Sequence, residues 1–250
     1  MPAIQLVIPC YNEAVRLRGA EFQRLAAVPG MHLLFVDDGS RDTTRQVLGE
    51  IAAGHGNISV LALPMNQGKG EAVRQGLLQA LQDGSDVVGF IDADLSTSVD
   101  EVRRVLGVMM ERGTSVVMGS RVQLLGTHIE RYWYRHYFGR VFATAASFLL
   151  RLPVYDTQCG AKFFRPTPAL RAALAVPFAT RWIFDVELLG RLLAGAPGAP
   201  ALTRDDFLEV PLREWRDIKG SKVSPLDAPR VLLQLGLVWR ALRRWQAQAR

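Results

Sequence analysis

The first 120 residues alternate between short apolar runs and longer amphipathic stretches, and this alternation restricts the fold more than any other feature. The apolar runs predict strands at Ala3–Pro9, His32–Asp37, Ile58–Leu63, Asp86–Ile91 and Ser115–Gly119. The stretches between them predict helices at Glu13–Ala27, Arg41–Ala53, Gly68–Gln82 and Val99–Arg112. Strands that alternate with helices form a mostly parallel sheet with helices on both faces. The chain is therefore predicted to adopt an α/β fold.

Polar residues follow three of the predicted strands at the point where each strand ends. The three clusters are Pro9–Glu13, Asp37–Ser40 and Asp92–Asp94. In an open α/β sheet, ligands bind in the crevice outside the carboxyl ends of the strands. We therefore expect the three clusters to converge at one edge of the sheet and to form a single site.

The acidic pair Asp92 and Asp94 stands at the end of the apolar run Asp86–Ile91, which is typical of a buried strand. Two adjacent carboxylates raise each other's pKa, so they are unfavourable at a sheet edge without a compensating positive charge. A divalent cation supplies that charge, and carboxylate oxygens suit Mg²⁺ or Mn²⁺. Such a cation would in turn neutralise a diphosphate. The alternative interpretation of this pattern is a solvated turn.

Two turns that contain glycine carry further candidate residues. Gly39 allows a tight turn after the second strand, where Asp38 is suited to accept hydrogen bonds from a nucleobase or a ribose hydroxyl. Alternatively, Ser40 or Asp42 caps the next helix. Lys69 lies between two glycines before a helix, in a segment that resembles a phosphate-binding turn but lacks the spacing of a P-loop. The alternative there is a glycine-rich turn with a solvated lysine.

Arginines and aromatic residues mark the segment after the fifth strand. Arg121 follows that strand directly. A guanidinium group can donate hydrogen bonds to two oxygen atoms of a diphosphate at once. Arg131 and Arg135 lie one helical turn apart among aromatic residues, a combination that suits a membrane interface. The alternative is a helix that packs on the core and leaves its arginines in water.

Charge divides the chain into two halves. Residues 1–125 carry 11 Lys and Arg against 14 Asp and Glu, whereas residues 126–250 carry 19 against 10. The basic half favours an anionic partner, such as lipid headgroups or a phosphorylated substrate. Nucleic acid is not expected as a partner, because no motif that reads nucleic acid accompanies the charge.

Cysteine content and hydropathy favour a cytoplasmic protein. Cys10 and Cys159 lie far apart in the sequence, as expected for a reducing compartment. The N-terminal residues lead into a strand and do not read as a signal peptide. The longest uncharged apolar stretch runs from Val141 to Leu150, about half of the ~20 residues that span a bilayer.

The alternation of strands and helices ends near residue 125. Beyond it we predict an amphipathic helix at 131–150, a helix at Trp182–Leu193, a short strand at Phe207–Val210 and a basic amphipathic helix at 226–250. The last helix carries an apolar stripe that contacts a membrane interface or, alternatively, packs on the body of the protein. The residues of this stripe are Leu235, Val238, Trp239, Leu242 and Trp245, with Arg240, Arg243 and Arg244 beside them.

Several of these motifs together resemble the inverting family-two glycosyltransferases, which have the GT-A fold. The matching motifs are Val7–Glu13, Val36–Ser40, Asn66–Gly70 and Asp92–Asp94. Later segments resemble the polyprenyl-phosphate sugar synthases, in particular the dolichyl-phosphate β-glucosyltransferase branch, with dolichyl-phosphate mannose synthases as near relatives. These segments are Asp156–Phe164, Trp182–Leu189 and Gly220–Val223. The resemblance covers residues 3–225 and implies one catalytic domain over residues 1–225.

The resemblance implies a role for each residue that matches the family pattern. The residues that would bind the nucleotide-sugar donor are Pro9, Tyr11, Glu13, Val36, Asp38, Lys69, Asp92, Ala93, Asp94 and Lys222. The metal ligands would be Asp92 and Asp94. The residues that would contact the acceptor phosphate are Arg121, Arg131 and Arg135. The catalytic residues would be Asp94, Arg121, Asp156 and Asp185, where either Asp156 or Asp185 orients the acceptor or the sugar.

The implied reaction is transfer of a sugar, with UDP-glucose as the favoured donor, to a polyprenyl phosphate with Mg²⁺ or Mn²⁺ as cofactor. Mannose synthases carry a glutamine two residues after the acidic pair as a further metal ligand, and this chain has Ser96 there. Three alternatives are transfer from GDP-mannose, transfer to a soluble or cell-wall acceptor, and a non-catalytic lipid or nucleotide binder. We expect a cytoplasmic protein that associates peripherally with the cytoplasmic face of the membrane.

Overall fold

The computed structural model describes residues 1–130, 133–217 and 228–249. Its strands are β1 (Ile4–Cys10), β2 (Met31–Asp37), β3 (Ile58–Ala62), β4 (Val87–Ile91), β5 (Val116–Ser120), β6 (His128–Glu130), β7 (Ala161–Phe164), β8 (Phe207–Pro211) and β9 (Glu214–Arg216). The predicted strands correspond to β1–β5 and β8, and their ends differ by no more than one residue. The strands β6, β7 and β9 were not predicted from the sequence pattern.

The helices are α1 (Gly19–Ala26), α2 (Thr44–Ala52), α3 (Lys69–Gln82), α4 (Val99–Arg112), α5 (Trp133–Leu150), α6 (Pro168–Ala175), α7 (Phe184–Ala194) and α8 (Ala228–Ala249). Seven of the helices correspond to predicted ones, with a clear difference at the start of the first, and α6 was not predicted. The first helix begins at Gly19 and not at Glu13, because Arg18 has a non-helical backbone and uses its side chain to bond a neighbouring loop. Within the described ranges, no helix combines the length and apolar character needed to cross a membrane.

The large sheet is mostly parallel, as predicted. Its strands lie in the order β3-β2-β1-β4-β7-β5-β8. The pairs β1–β2, β2–β3, β1–β4 and β5–β8 are parallel, whereas β7 runs antiparallel to both β4 and β5. The strands β6 and β9 form a separate parallel pair. The carboxyl ends of β1, β2, β4 and β5 therefore point to one edge of the sheet, and β7 enters the sheet from that edge.

Helices cover both faces of the sheet and bury an apolar core on each. On one face, Phe22 of α1 packs edge-on against Phe35 of β2, with 4.9 Å between the ring centroids. On the other face, Phe90 of β4 packs against Phe184 of α7 at 5.7 Å. The predicted amphipathic helices thus bury their apolar sides on the sheet. This packing holds the strands whose carboxyl ends meet at one edge of the sheet.

The apolar stripe of α8 packs mainly on the body of the protein. Val238 and Leu242 are buried, and Trp245 Nε1 donates a hydrogen bond to the carbonyl oxygen of Gly195 at 2.7 Å. Leu242 fits against Gly190 of α7, where a Cβ atom would lie 2.5 Å from the leucine. Val238, Leu242 and Trp245 therefore follow the alternative, packing on the body of the protein, whereas a membrane interface for the rest of this helix stays a prediction. The glycine of α7 provides the close contact that buries Leu242.

Helix α3 also packs closely on the sheet, at Gly76. A Cβ atom at this position would lie 2.3 Å from Val7 Cγ1 and 2.9 Å from Val36 Cγ2. We expect Gly76→Ala to lower the free energy of unfolding by about 1–3 kcal/mol, because the added methyl group forces the helix away from the sheet. The control is Gly49→Ala in α2, where nothing lies within 4 Å of the added atom. Urea unfolding of both variants measures the effect, and wild-type stability of Gly76→Ala would contradict this packing.

Candidate active site

The loops that follow β1, β2 and β4 meet at one edge of the sheet, as predicted. The backbone N–H of Asn12 donates to Ser40 Oγ at 3.0 Å, and Asn12 Oδ1 accepts from the N–H of Arg41 at 2.9 Å. Arg18 joins the first loop to the third, since its Nη2 donates to the carbonyl oxygen of Asp94 at 3.0 Å. The three polar clusters of the sequence therefore form one continuous site.

The acidic pair lies in this site, directly after β4. Lys69 Nζ lies 2.5 Å from Asp92 Oδ1 and forms an ion pair with it. Asp92 also contacts the backbone of Gly160. The N–H of Asp92 donates to the carbonyl oxygen of Gly160 at 2.9 Å, and a Cβ atom at position 160 would lie 1.9 Å from Asp92 Oδ2. Position 160 therefore requires glycine. Asp94 Oδ1 accepts from the N–H of Ser96 at 3.0 Å, which stabilises the turn after the pair.

The two carboxylates differ in acidity. Burial favours the neutral form of Asp92, but the positive charges of Lys69 and Lys162 hold the pKa of this carboxyl below its ordinary value. Burial, together with the negative charge of Asp92, raises the pKa of Asp94. Desolvation and repulsion between like charges are the two physical causes of the rise at Asp94. A divalent cation bound to the pair would relieve this repulsion and keep both groups ionised.

The oxygen atoms of Asp92 and Asp94 fit Mg²⁺ or Mn²⁺, which prefer carboxylate and water ligands. Among the described residues, no group of three or more His, Cys, Asp or Glu side chains is arranged to hold a metal. An ion at the acidic pair would therefore take its remaining ligands from a bound diphosphate and from water. That division of ligands is typical of Mg²⁺ in nucleotide sites.

Two further ion pairs lie near the acidic pair. Arg121 donates to Asp156 through Nε at 2.6 Å and through Nη2 at 2.8 Å. Lys162 of β7 is fully buried, with its Nζ 2.5 Å from Asp185 Oδ1 and 2.6 Å from the carbonyl oxygen of Cys159. Burial raises the pKa of the Cys159 thiol to about 12, so the thiol stays protonated at neutral pH. Asp156 and Asp185, either of which is predicted to orient the acceptor or the sugar, are thus each paired with a cation.

Asp38 holds the turn that carries Lys69. Its Oδ1 accepts from the N–H of Gln67 at 2.7 Å and its Oδ2 accepts from the N–H of Gly68 at 2.8 Å. Arg181 holds the same turn from another side, donating to the carbonyl oxygen of Gln67 at 2.9 Å. Burial raises the pKa of Asp38 more than the two backbone hydrogen bonds lower it. Asp38 is nearly completely buried, and its contact with a base or ribose stays a prediction.

The end of β1 carries three predicted donor-binding residues. Pro9 and Tyr11 are half-buried there. Glu13 is held by Arg16, whose Nε and Nη2 donate to the two carboxylate oxygens at 2.6 and 2.5 Å. Arg16 was not singled out in the sequence. Burial lowers the pKa of its guanidinium, but Glu13 and, to a smaller extent, Asp94 raise it above its ordinary value.

Two other predicted donor-binding residues lie in the core. Val36 is completely buried and Ala93 is 6% exposed, each within a cluster of packed apolar side chains. Their side chains are therefore not presented to a ligand, because they fill the space between the sheet and its helices. Val36 instead positions Asp38 two residues later, and Ala93 fixes the spacing between Asp92 and Asp94.

Three predicted residues cannot be placed in this site. Arg131 and Lys222 lie outside the described residues, as does the segment Gly220–Val223 that contributes to the family resemblance. Arg135 lies within α5, but its side chain is outside the described part. The phosphate-binding role of Arg131 and Arg135 and the donor-binding role of Lys222 stay predictions.

Glu209 is a residue of this region that the sequence analysis did not single out. It lies on β8, and its carboxylate accepts from the backbone N–H groups of Tyr155 at 2.7 Å and Asp156 at 2.6 Å. Glu209 thereby holds the loop whose Asp156 binds Arg121. Burial is the largest cause that raises the pKa of Glu209 to about 7. Its only signal in the sequence is an acidic residue inside the predicted strand Phe207–Val210.

Comparison with known sequences assigns the family. The family model described as "Glycosyl transferase family 2" matches residues 5–171, which is about two thirds of the chain and includes the acidic pair. The fold and the site thus define a glycosyltransferase. The chain belongs to glycosyl transferase family 2, and the resemblance to this family is confirmed.

Several curated relatives share one name and show which branch of the family this chain resembles. The dolichyl-phosphate beta-glucosyltransferase of Drosophila melanogaster is 32% identical over 250 residues, which cover 90% of this chain and 71% of the relative. The enzymes of the same name from Homo sapiens and Saccharomyces cerevisiae are 28% and 29% identical. These matches cover 89% and 88% of this chain and 70% and 69% of the relatives. The predicted similarity to this branch is confirmed.

Solved structures share the fold. Glucosyl-3-phosphoglycerate synthase from Mycobacterium tuberculosis, in complex with Mn²⁺, UDP and glucosyl-3-phosphoglycerate, superimposes with a TM-score of 0.63 at 21% identity. That match covers 96% of this chain and 77% of the synthase. S. aureus TarS 1–349 in complex with UDP-GlcNAc gives a TM-score of 0.54 at 18% identity, over 94% of this chain and 66% of TarS. The predicted GT-A fold is confirmed.

The raised pKa of Glu209 predicts a pH dependence of stability. Between an ordinary pKa of 4.5 and about 7, the folded protein keeps a proton that the unfolded chain releases. Glu209 therefore destabilises the native state increasingly as the pH rises through this window. From about pH 5 to about pH 8, we expect the unfolding free energy of the wild type to fall by about 1–3 kcal/mol relative to Glu209→Gln. Urea unfolding at both pH values measures this difference, and a difference that does not change with pH would contradict it.

Proposed function

We propose that this protein transfers glucose from UDP-glucose to a polyprenyl phosphate, with inversion at the anomeric carbon and with Mg²⁺ or Mn²⁺ as cofactor. The observation that carries the proposal is the acidic pair Asp92 and Asp94 at the end of β4. Lys69, Arg121 and Lys162 lie near Asp92, and Arg16 lies near Asp94. The relatives named dolichyl-phosphate beta-glucosyltransferase support glucose as the sugar and a polyprenyl phosphate as the acceptor.

The nucleotide of the donor would bind at the end of β1 and the loop after it, where Pro9, Tyr11 and Glu13 lie, and at the loop after β2, which begins with Asp38. Lys69 stands at the first residue of α3, and both an ammonium group and a helix N-terminus favour an anion. Donor binding would therefore draw Lys69 away from Asp92 and toward the diphosphate. Asp92 would then be free to bind the metal ion, which would supply the diphosphate with a second positive charge beside that of Lys69.

Asp92 and Asp94 would hold the metal ion, which would supply Lewis-acid stabilisation of the diphosphate. Arg121 would contact the phosphate oxygens and stabilise the charge that grows on the leaving group. Its two hydrogen bonds to Asp156 already orient the guanidinium plane, so Arg121 loses little conformational freedom on binding a phosphate. The positive groups of this edge thus all favour departure of a nucleoside diphosphate.

The reaction exchanges one bond at the anomeric carbon for another. An oxygen atom of the acceptor phosphate forms the new bond while the bond to the diphosphate of UDP breaks, and the electron pair leaves with UDP. A single displacement of this kind inverts the configuration of the anomeric carbon. A phosphate monoester is ionised near neutral pH, so the acceptor needs no strong base. Asp156 or Asp185 would therefore orient the acceptor or the sugar hydroxyls and would not remove a proton.

The acceptor would approach with its phosphate toward Arg121, Arg131 and Arg135, and Lys222 would close over the donor. A lipid acceptor makes a membrane surface a partner of the protein, which would bind peripherally at the cytoplasmic face. The basic second half of the chain supports this proposal, because juxtamembrane basic segments are attracted to anionic lipids. Nucleic acid has no part in it.

A donor screen tests the reaction class and the sugar together. Purified protein with Mn²⁺ or Mg²⁺ and a short polyprenyl phosphate in detergent receives UDP-glucose, UDP-galactose, UDP-N-acetylglucosamine and GDP-mannose as competing donors. We expect glucose transfer that disappears in a control without lipid. Lipid-dependent transfer from GDP-mannose would contradict the sugar, and transfer without lipid would contradict the acceptor.

Asp94→Asn tests the role of the acidic pair. We expect kcat/KM to fall at least about a hundredfold, because the amide binds a cation weakly and the charge on the leaving group loses its counterion. Asp100→Asn makes the same change at an exposed position of α4 and is expected to keep the wild-type rate. As a second readout, Mn²⁺ should tighten UDP binding by the wild type, but not by Asp94→Asn, in calorimetric titrations. Normal turnover of Asp94→Asn would contradict the proposed mechanism.

A further inference from the structure

Glu209 of β8 holds the loop of residues 151–160, which connects α5 to β7. Its Oε2 accepts from the backbone N–H of Tyr155 at 2.7 Å, and its Oε1 accepts from the backbone N–H of Asp156 at 2.6 Å. β8 is the last strand of the large sheet and lies beside β5. One side chain from this edge strand therefore binds two successive amides of a loop that is far away in the sequence.

The same loop fixes the guanidinium group of Arg121. Asp156 Oδ2 accepts from Nε at 2.6 Å and from the backbone N–H of Arg121 at 3.1 Å, and Asp156 Oδ1 accepts from Nη2 at 2.8 Å. The guanidinium also lies 5.3 Å from the centre of the ring of Trp215, which is buried. The orientation of Arg121 thus depends on the position of Asp156, and the backbone of Asp156 is held by Glu209.

Only the ionised form of Glu209 can hold both amides equally well. A carboxylate offers an acceptor oxygen to each N–H group, whereas a protonated acid or a glutamine amide turns one of the two atoms into a donor. A protonated or amidated side chain at position 209 would therefore leave one backbone N–H of the loop without a good acceptor. Loss of that hydrogen bond would loosen the segment that carries Asp156.

The charge of Glu209 changes near neutral pH. Burial is the largest cause that raises its pKa to about 7; the negative charge of Asp156 adds to the rise, whereas the hydrogen bond from the backbone of Asp156 and the positive charge of Lys162 oppose it. The next cations outward are Arg121, which is bonded to Asp156, and Arg140 of α5, which packs on the same loop. Glu209 is therefore mostly ionised at about pH 8 and mostly protonated at about pH 5.5.

We propose that Glu209 is a positioning residue of the transfer reaction, whose ionised carboxylate holds the 151–160 loop so that Arg121 stays oriented toward a phosphate. The link to transfer rests on the proposed function of Arg121, whereas the orientation of Arg121 by Glu209 does not. A buried carboxylate that favours its proton lowers the stability of the protein above neutral pH. Such a cost to stability is common where activity requires a particular group.

Two variants of acids at β8 test this role at about pH 8. Glu209→Gln keeps the shape of the side chain and removes one acceptor. The control is Asp206→Asn, just before β8, where the carboxylate accepts from the N–H of Thr203 and from Ser115 Oγ, both at 2.8 Å. We expect Glu209→Gln to lower kcat/KM for the acceptor at least about tenfold, because a displaced guanidinium stabilises the transition state less, and the control to stay within about twofold of the wild type. Equal losses in both variants, or normal transfer by Glu209→Gln, would overturn the proposal.

Donor binding shows whether the loss is confined to the acceptor side. The predicted donor-binding loops follow β1, β2 and β4, away from the contacts of Glu209. In calorimetric titrations with Mn²⁺, we expect the affinity of Glu209→Gln for UDP to differ from that of the wild type by less than about threefold. A loss of UDP affinity as large as the loss of transfer would point to general damage of the site and would overturn the proposal.

The ratio of the wild-type rate to the Glu209→Gln rate separates the ionised carboxylate from a fixed structural role. The acceptor phosphate also titrates, with a second pKa of about 6, but this affects both proteins alike. We expect a ratio of at least about ten at about pH 8 and of less than about two at about pH 5.5, where the protonated acid resembles the amide. A ratio that does not change with pH would overturn the proposal.

A double variant tests whether Glu209 acts through Arg121. Arg121→Lys keeps the positive charge but cannot form the paired hydrogen bonds with Asp156. Since the two residues belong to one chain of contacts, adding Glu209→Gln to Arg121→Lys should lower transfer by less than about twofold. A loss as large as the one that Glu209→Gln causes in the wild type would show that Glu209 acts elsewhere and would overturn the proposal.

NMR of the arginine Nε–H groups measures the orientation of Arg121 without donor or acceptor. The Arg121 signal is assigned by its disappearance in Arg121→Lys, and we expect it to exchange slowly with water in the wild type, because Asp156 accepts from Nε. Glu209→Gln should speed this exchange at least about tenfold, whereas Asp206→Asn should leave it unchanged. Circular dichroism and urea unfolding check that every variant is folded.

The NMR and transfer measurements together distinguish the two ways in which this account can fail. An Arg121 signal that Glu209→Gln leaves unchanged would overturn the positioning role alone, even if the wild type transfers glucose to the lipid. The expected change of the signal in a protein that transfers no sugar would overturn the proposed function alone and leave the orientation of Arg121 by Glu209 intact.

Discussion

Charge compensation around β4, β5 and β7 is the constraint on which the rest of the site depends. The ion pairs are Asp92 with Lys69, Asp156 with Arg121, and Asp185 with Lys162. Removing one partner of a buried pair costs about 3–5 kcal/mol, because it leaves a charge without compensation. Lys162 is completely buried and therefore depends most strongly on its partner. The site keeps its shape because each of these acids has a cation within contact distance.

The short antiparallel strand β7 links this charge cluster to the acidic pair. Its register places Lys162 opposite Phe90 and Ala161 opposite Ile91, so that Gly160 reaches Asp92 one residue further on. The missing side chain at Gly160 leaves room for the Asp92 carboxylate, and the neighbouring Lys162 adds positive charge beneath it. Lys162 thus adds to the effect of Lys69, which holds the pKa of Asp92 low, and the charge of Asp92 adds to the effect of burial, which raises the pKa of Asp94.

Features that depend on local sequence could be predicted, and features that depend on distant partners could not. The parallel strands and the convergence of their polar ends follow from the alternation of apolar and amphipathic segments. By contrast, β7 has only four residues and becomes a strand by pairing with β4 and β5 on its two sides. Lys162 and Glu209 are charged residues inside strands, whose partners lie far away in the sequence. The stripe on α8 was recognised as apolar, but only the packing against Gly190 shows which surface buries it.

The central claim is a single displacement that joins glucose to a polyprenyl phosphate, and the configuration of the product tests it most directly. The protein is incubated with UDP-glucose, Mn²⁺ and a short polyprenyl phosphate, and the lipid product is examined by proton and phosphorus NMR. We predict one glucosyl phosphate in the β configuration, opposite to the α linkage of the donor. A product with retained α configuration, or release of free glucose without a glycolipid, would contradict the account.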